Sequence, residues 1–205
     1  MNQGRKQKRV QRAPEKIEES LSYTVEVRDK EGRVLQRISA PSRSYVEQWN
    51  QLINLQATQA TKTVKDTDGV DQACEPDSNT LKAYAPIGVT AHGIRVGKGT
   101  TAVAIDDYAL EIPSAEGVGV DQFNHQGMIF SLPAVAAPSC SFTARRTMIN
   151  NSGATITGVR EIGCYIRAEN GSALSFLGFR DVLGSGCDVP DGGAITVEYT
   201  IGVTV

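Results

Sequence analysis

Residues 195–205 read Ile-Thr-Val-Glu-Tyr-Thr-Ile-Gly-Val-Thr-Val, an unbroken alternation of apolar and polar positions. A period of two turns Ile195, Val197, Tyr199, Ile201, Val203 and Val205 to one side of an extended chain. Thr196, Glu198, Thr200, Gly202 and Thr204 fall on the other side. The run therefore predicts a half-buried β-strand, and a terminal strand is expected to be tied into a sheet. Pro190-Asp191-Gly192-Gly193 in front of it is strong turn chemistry and predicts that the strand is the second arm of a hairpin. Two roles fit its apolar face: filling a sandwich core, or completing a sheet with a neighbouring subunit.

Upstream, Leu21 to Ile38 predicts another hairpin. Tyr23, Val25 and Val27 alternate with polar residues, and Asp29-Lys30-Glu31-Gly32 supplies the turn. One helix is expected, over about residues 44–58. Ser44 and Glu47 have capping-box spacing, and Tyr45, Trp49, Leu52 and Ile53 recur at intervals that place them on one packing face. From Thr61 onward the texture is short strands and turns. Lys62–Lys65 is a candidate strand turned by Asp68-Gly69, residues 71–80 read as loop, and Ile87–Val96 holds a strand or two. Gln126–Leu132, Ser141–Ile149, Thr155–Ile166 and Ala173–Val182 are further candidates, with Asn151-Ser152-Gly153 as a turn between two of them. Strands at such spacing predict a mainly β fold, an antiparallel β-sandwich or jelly-roll-like body. The expected organisation is an extended basic arm over 1–20 and a single β-rich domain over 21–205. Within that domain, 21–60 is hairpin plus helix and 61–205 is sandwich.

Charge separates the arm from the body. Arg5, Lys6, Lys8, Arg9 and Arg12 fall within residues 1–14 without one acid, leaving 16 basic and 23 acidic residues in the remainder, a net of −7. Such a segment reads as a solvated tail, as a strap on an acidic neighbour (a copy of the same body included), or as a nucleic-acid contact. No aromatic lies in residues 1–20 for base stacking, so sequence-specific nucleic-acid recognition is not expected. No apolar run follows the basic start, so no signal peptide is expected. The most apolar stretch, Met128–Ala137, is too short for a membrane span and contains Pro133.

The chemistry-bearing residues do not assemble into a familiar motif. Gly97-Lys98-Gly99-Thr100-Thr101 lacks the GxxxxGK[ST] order that wraps a phosphate, and reads as a turn. Asp66, Asp68 and Asp71 have Gly69 too early, and no closing Glu, for a calcium loop. Cys74, Cys140, Cys164 and Cys187 form no CxxC pair and read as free thiols. His92 and His125 are the only histidines, and neither has a paired motif. Arg160-Glu161 and Arg180-Asp181 read as salt-bridge partners. No catalytic constellation, cofactor site or metal site is expected.

Ile94 to Thr101, Asp106 to Glu111, Asn151 to Ala154, Arg160 to Tyr165, Arg180 to Val182 and Val189 to Val205 resemble stretches of tailed-bacteriophage virion proteins. So does the hairpin, Ser-Arg-Ser and aromatic-helix order from Gly32 to Leu55. The likeness covers about residues 21–205. It implies a structural virion component without catalytic residues, assembled in the host cytoplasm. A capsid decoration or minor capsid protein anchored through the N-terminal arm is the first reading, and a tail or head-tail component the alternative. Its partners would be other virion subunits and copies of itself, with no membrane. From a different class, a glycan- or receptor-binding sandwich would show exposed loop aromatics, for which Tyr84, Tyr108 and Phe123 are the candidates.

Overall fold

A computed structural model describes residues 18–42, 44–76, 81–170 and 172–204. Arg5, Lys6, Lys8, Arg9 and Arg12 lie outside the described residues. The expected end of the arm at residue 20 is corrected, because Glu18–Ser20 already belong to the first strand.

The first hairpin forms as the alternation predicts. β1 (Glu18–Arg28) pairs antiparallel with β2 (Val34–Ser42). Its turn closes through Asp29, whose side chain accepts the Arg33 amide at 2.9 Å, and Gly32 takes the left-handed conformation (φ +81°) that a Cβ would strain. β12 (Ala194–Thr204) is the closing strand. It lies between β1 and β9 (Ser139–Ile149), bonded to both, in the order β2-β1-β12-β9. The far flank of β9 carries three short strands in turn: β6 (Asn124–His125), β7 (Ile129–Phe130) and β8 (Ala134–Ala136).

The second sheet has three strands in the order β11 (Ser172–Val189), β10 (Ile156–Asn170) and β5 (Gly93–Gly97). The chain is mainly β, all its sheets are antiparallel, and the body is sandwich-like, as the strand spacing predicts. The two sheets meet across a core in which the Tyr199 and Phe179 rings sit edge to face, centroids 4.6 Å apart. Val25, Val27, Ile195 and Val197 from the large sheet and Ile94, Val96, Ile162 and Leu183 from the small one are fully buried there. Burying each such side chain contributes roughly 1.5–3 kcal/mol relative to leaving it in water.

The hairpin expected at Pro190–Gly193 does not form. Strand β11 belongs to the small sheet and β12 to the large one, so this turn switches sheets. The switch from β9 to β10 runs through Asn151-Ser152-Gly153. Buried Asn150 staples the two together: its Nδ2 donates to the carbonyls of Ala154 and Val189, and its own carbonyl accepts the Gly192 amide. Turn chemistry specifies a tight reversal, but not which strand receives the chain afterwards. Since β12 is flanked on both sides within this chain, it does not complete a neighbour's sheet.

Helix α1 (Glu47–Thr58) packs over β11 and over a ribbon made by β3 (Lys62–Lys65) and β4 (Asp71–Cys74). The ribbon corrects the loop expected over 71–80. Its turn is organised by Asp66, which accepts the amides of Asp68 and Val70 and the side-chain amide of Gln72. The capping box also fails. Val46 occupies the N-cap with no side-chain bond, the Glu47 amide instead finds the Ile105 carbonyl at 2.9 Å, and Ser44 turns inward.

Candidate functional site

The core faces of the two sheets are unequal in reach. Along β12, Ile195, Val197 and Tyr199 are covered, Ile201 is half-buried and Val203 is 40 % exposed. Along β9, Met148 and Ala144 are buried, while Phe142 and Cys140 are half-covered. Beside Phe179 lies an apolar groove, lined by Trp49 of α1, by Phe142 and Ile201 of the large sheet and, in one of its depressions, by Cys164 and Ile166 of the small one.

Trp49 is central to it. One depression of about 290 Å³ is lined by Trp49, Tyr84, Phe130, Phe142, Phe179 and Ile201. A second, of about 360 Å³, shares Trp49, Phe142 and Ile201 and adds Ile53, Pro133 and Val203. Trp49 is held by stacking on Tyr45 (5.2 Å) and by edge contact with Phe179 (6.0 Å). Gly178 permits the approach, since a Cβ there would stand 3.3 Å from the indole. Of the four residues expected on the helix's packing face, Leu52 is buried, Tyr45 and Trp49 are half-buried against Phe179, and Ile53 is 36 % exposed at the groove's edge. The stripe that α1 buries is Gln48, Leu52 and Leu55. Spacing places Leu52 on the packing face, with Val46 and Leu55 broadening it, and misses Gln48 because it is polar. Both its amide atoms are buried without a partner among the described residues.

Two of the buried charged residues, Arg180 and Glu161, are bonded to each other. Arg180 donates to Glu161 (2.6 Å), to Asp107 (2.7 Å) and to the Thr101 carbonyl (3.0 Å). Glu161, fully buried, also accepts the amides of Glu111 and Ile112. This clamp fastens the long segment after β5 across the outer face of the small sheet. It also explains Gly97-Lys98-Gly99: a Cβ at either glycine would come within 2.7 Å of a Glu161 oxygen. Of the four residues expected in salt bridges, Glu161 and Arg180 pair with each other and the clamp extends to Asp107, whereas Arg160 donates to the carbonyls of Leu183 and Gly184 and Asp181 accepts from Ser44 and Tyr199. The partners Ser42 and Ser44 hold Asp181 with Tyr199, Ser44 donating at 2.8 Å and the tyrosine hydroxyl at 3.0 Å. Burial pushes the Asp181 carboxyl above its usual range and the Tyr199 hydroxyl well above its own, which keeps the pair's hydrogen in place.

Arg146 is buried under β6 and donates to the carbonyls of Val89, Gln126, Ile94, Pro86 and His92. Desolvation pushes its pKa down to about 10, so it stays charged at neutral pH and five backbone dipoles carry the compensation. His125 donates from Nδ1 to Glu116 at 2.8 Å, and His92 from Nε2 to the Tyr84 carbonyl at 2.9 Å. Burial holds both imidazoles below the ordinary histidine pKa. All four cysteines are free thiols, and burial pushes Cys164 up to about 12 and Cys187 up to about 11. Thiolate chemistry is suppressed at both. Of the three loop aromatics, Tyr84 and Tyr108 are exposed, whereas Phe123 is fully buried, which corrects its expected surface role.

No family model matches this chain, and neither a curated protein nor a solved structure is found similar to it. What the molecule offers for recognition is therefore read from its own surface. A developed feature of that surface is the largely apolar, aromatic groove beside Trp49, in which Lys82 is the one charged lining residue among those described.

Proposed function

We propose that this chain is a structural component of a bacteriophage virion, a capsid decoration or minor capsid protein that anchors to neighbouring subunits through its basic N-terminal segment. The observation that carries an assembly role is the uncovered core face. The body leaves a stretch of its own hydrophobic interior open, and such patches on stable proteins mark protein contacts. The phage assignment rests on the resemblance of residues 21–205. The cations Arg5, Lys6, Lys8, Arg9 and Arg12, set against a remainder of net charge −7, supply a second, electrostatic contact. Many identical copies multiply weak contacts of both kinds. In this reading the protein has no catalytic role and takes no cofactor.

Deleting residues 2–14 tests the reading. The truncated protein should fold with an unchanged circular dichroism spectrum yet be lost from purified particles. Incorporation at the full-length level would remove the anchoring role, and absence of the full-length chain from particles would remove the virion assignment.

A further inference from the structure

We propose that the uncovered groove is the contact surface of a two-fold symmetric homodimer, in which the segment joining β7 to β8 in each copy seats on the groove of the other. The proposal names a partner for the assembly surface and rests on the assembly reading, not on the phage assignment.

A contact between identical copies related by a two-fold axis must be self-complementary, with projection and recess on one face. Both are present side by side. The recess is the pair of depressions around Trp49, Phe142 and Ile201. The projection is the β7–β8 segment, whose Leu132 is 87 % exposed and Val135 79 % exposed. Val135 pairs in register with Cys140, a residue that lines the recess, so projection and recess share the face. Among the described strands β8 bonds only to β9, and its outer edge is open.

Charge points to the occupant. Residues 127–144 contain no charged side chain. Exposed strand edges are ordinarily guarded by lysine or another charge, and interface cores are depleted of charge. Among the residues lining the recess only Lys82 is charged, so a basic occupant would be desolvated there without a counter-ion. Residues 1–17 of this chain carry seven charges and are a poor fit. The uncharged β7–β8 segment of a second copy fits.

Area is also sufficient. Ile53, Tyr84, Phe130, Leu132, Val135 and Val203 are each at least 36 % exposed. Aromatic side chains bury roughly 150–250 Å² each and aliphatic ones less, so the six present several hundred Å² of apolar surface per copy. Specific interfaces bury roughly 600–1,000 Å² per partner.

Sedimentation equilibrium on the purified full-length chain, at micromolar concentration and above, tests the surface. A dimer is expected. Leu132→Asp on the projection and Ile53→Lys at the recess should each weaken it by at least tenfold, because each puts an unpaired charge into the contact. Both positions are exposed in the monomer, so thermal unfolding should be little changed. Leu35→Lys, on the opposite edge of the same sheet, should leave association unaltered. A wild-type monomer overturns the proposal, as does a dimer that survives both groove variants. A dimer lost on deletion of residues 2–14 but kept in Leu132→Asp would assign the contact to the basic segment instead. Failure here is distinct from failure of the virion reading: a monomer that still enters particles removes only this surface, and a dimer absent from particles removes only the particle.

Discussion

The two halves of β12 carry the same alternation but meet different fates. Ile195, Val197 and Tyr199 are closed over by the small sheet, whereas Ile201 and Val203, on the same face of the same strand, open into the groove. Hydrogen bonding does not distinguish them, since β1 and β9 flank both halves in continuous register. The difference is the reach of the opposite layer. An apolar strand face is core only where a second layer stands over it, and beyond that layer the same pattern becomes a surface that seeks a partner.

The largest effect that would sharpen this contrast lies under the clamp that seals the small sheet's outer face. Glu161→Ala leaves Arg180 buried with a weakened set of partners, and breaking a buried pair in this way costs about 3–5 kcal/mol. Denaturant titration should show that loss, and a change below about 1 kcal/mol would mean the clamp holds nothing. Next, Ile195→Ala in the covered half should cost about 2–5 kcal/mol. Leu132→Ala beside the open half should stay within about 0.5 kcal/mol in the monomer. Equal losses would erase the distinction between the halves.

A smaller change of opposite sign is expected on the helix that walls the groove. Gln48 buries an amide with no partner among the described residues, so Gln48→Met, of similar length, should raise stability by about 1 kcal/mol. A lower unfolding midpoint would show that the amide is satisfied after all. The smallest effect is pH dependence. Burial lowers the folded-state pKa of His92 and His125. The unfolded chain titrates near the ordinary value of about 6.5 and so takes up protons first. Stability from these residues is therefore complete above neutrality and is lost as pH falls below about 6.5 towards the lowered folded-state values. The drop in midpoint between about pH 7 and pH 5 should shrink in His125→Gln, and an unchanged slope would exclude this imidazole as a source.

Much of the architecture was legible because it is local. Alternation predicts β1, β9 and β12, Asp-Lys-Glu-Gly predicts the first turn, and the spacing around Trp49 predicts the helix. Less of the candidate site was legible. Trp49 and Ile53 stand out in sequence, yet nothing in their spacing says that the helix buries Gln48 and leaves Ile53 at a rim. Ser44 has the spacing of a cap, but Asp181, 137 positions away, competes for its hydroxyl and wins. Asp107 carries no signal of its own until Arg180 arrives 73 positions later.

By itself the sequence determined that this chain is a β protein with one helix, because backbone periodicity, turn residues and apolar alternation act over a few neighbours. It also placed an uncharged stretch at 127–144 and a cationic cluster near the start. Only the tertiary structure decided that the Pro190–Gly193 turn crosses between sheets, that β12 lies inside one, and that the outer half of its apolar face opens into a groove. Those outcomes depend on which distant surfaces come into contact and how far each extends, and pairing across long separations leaves no local mark on the residues that take part.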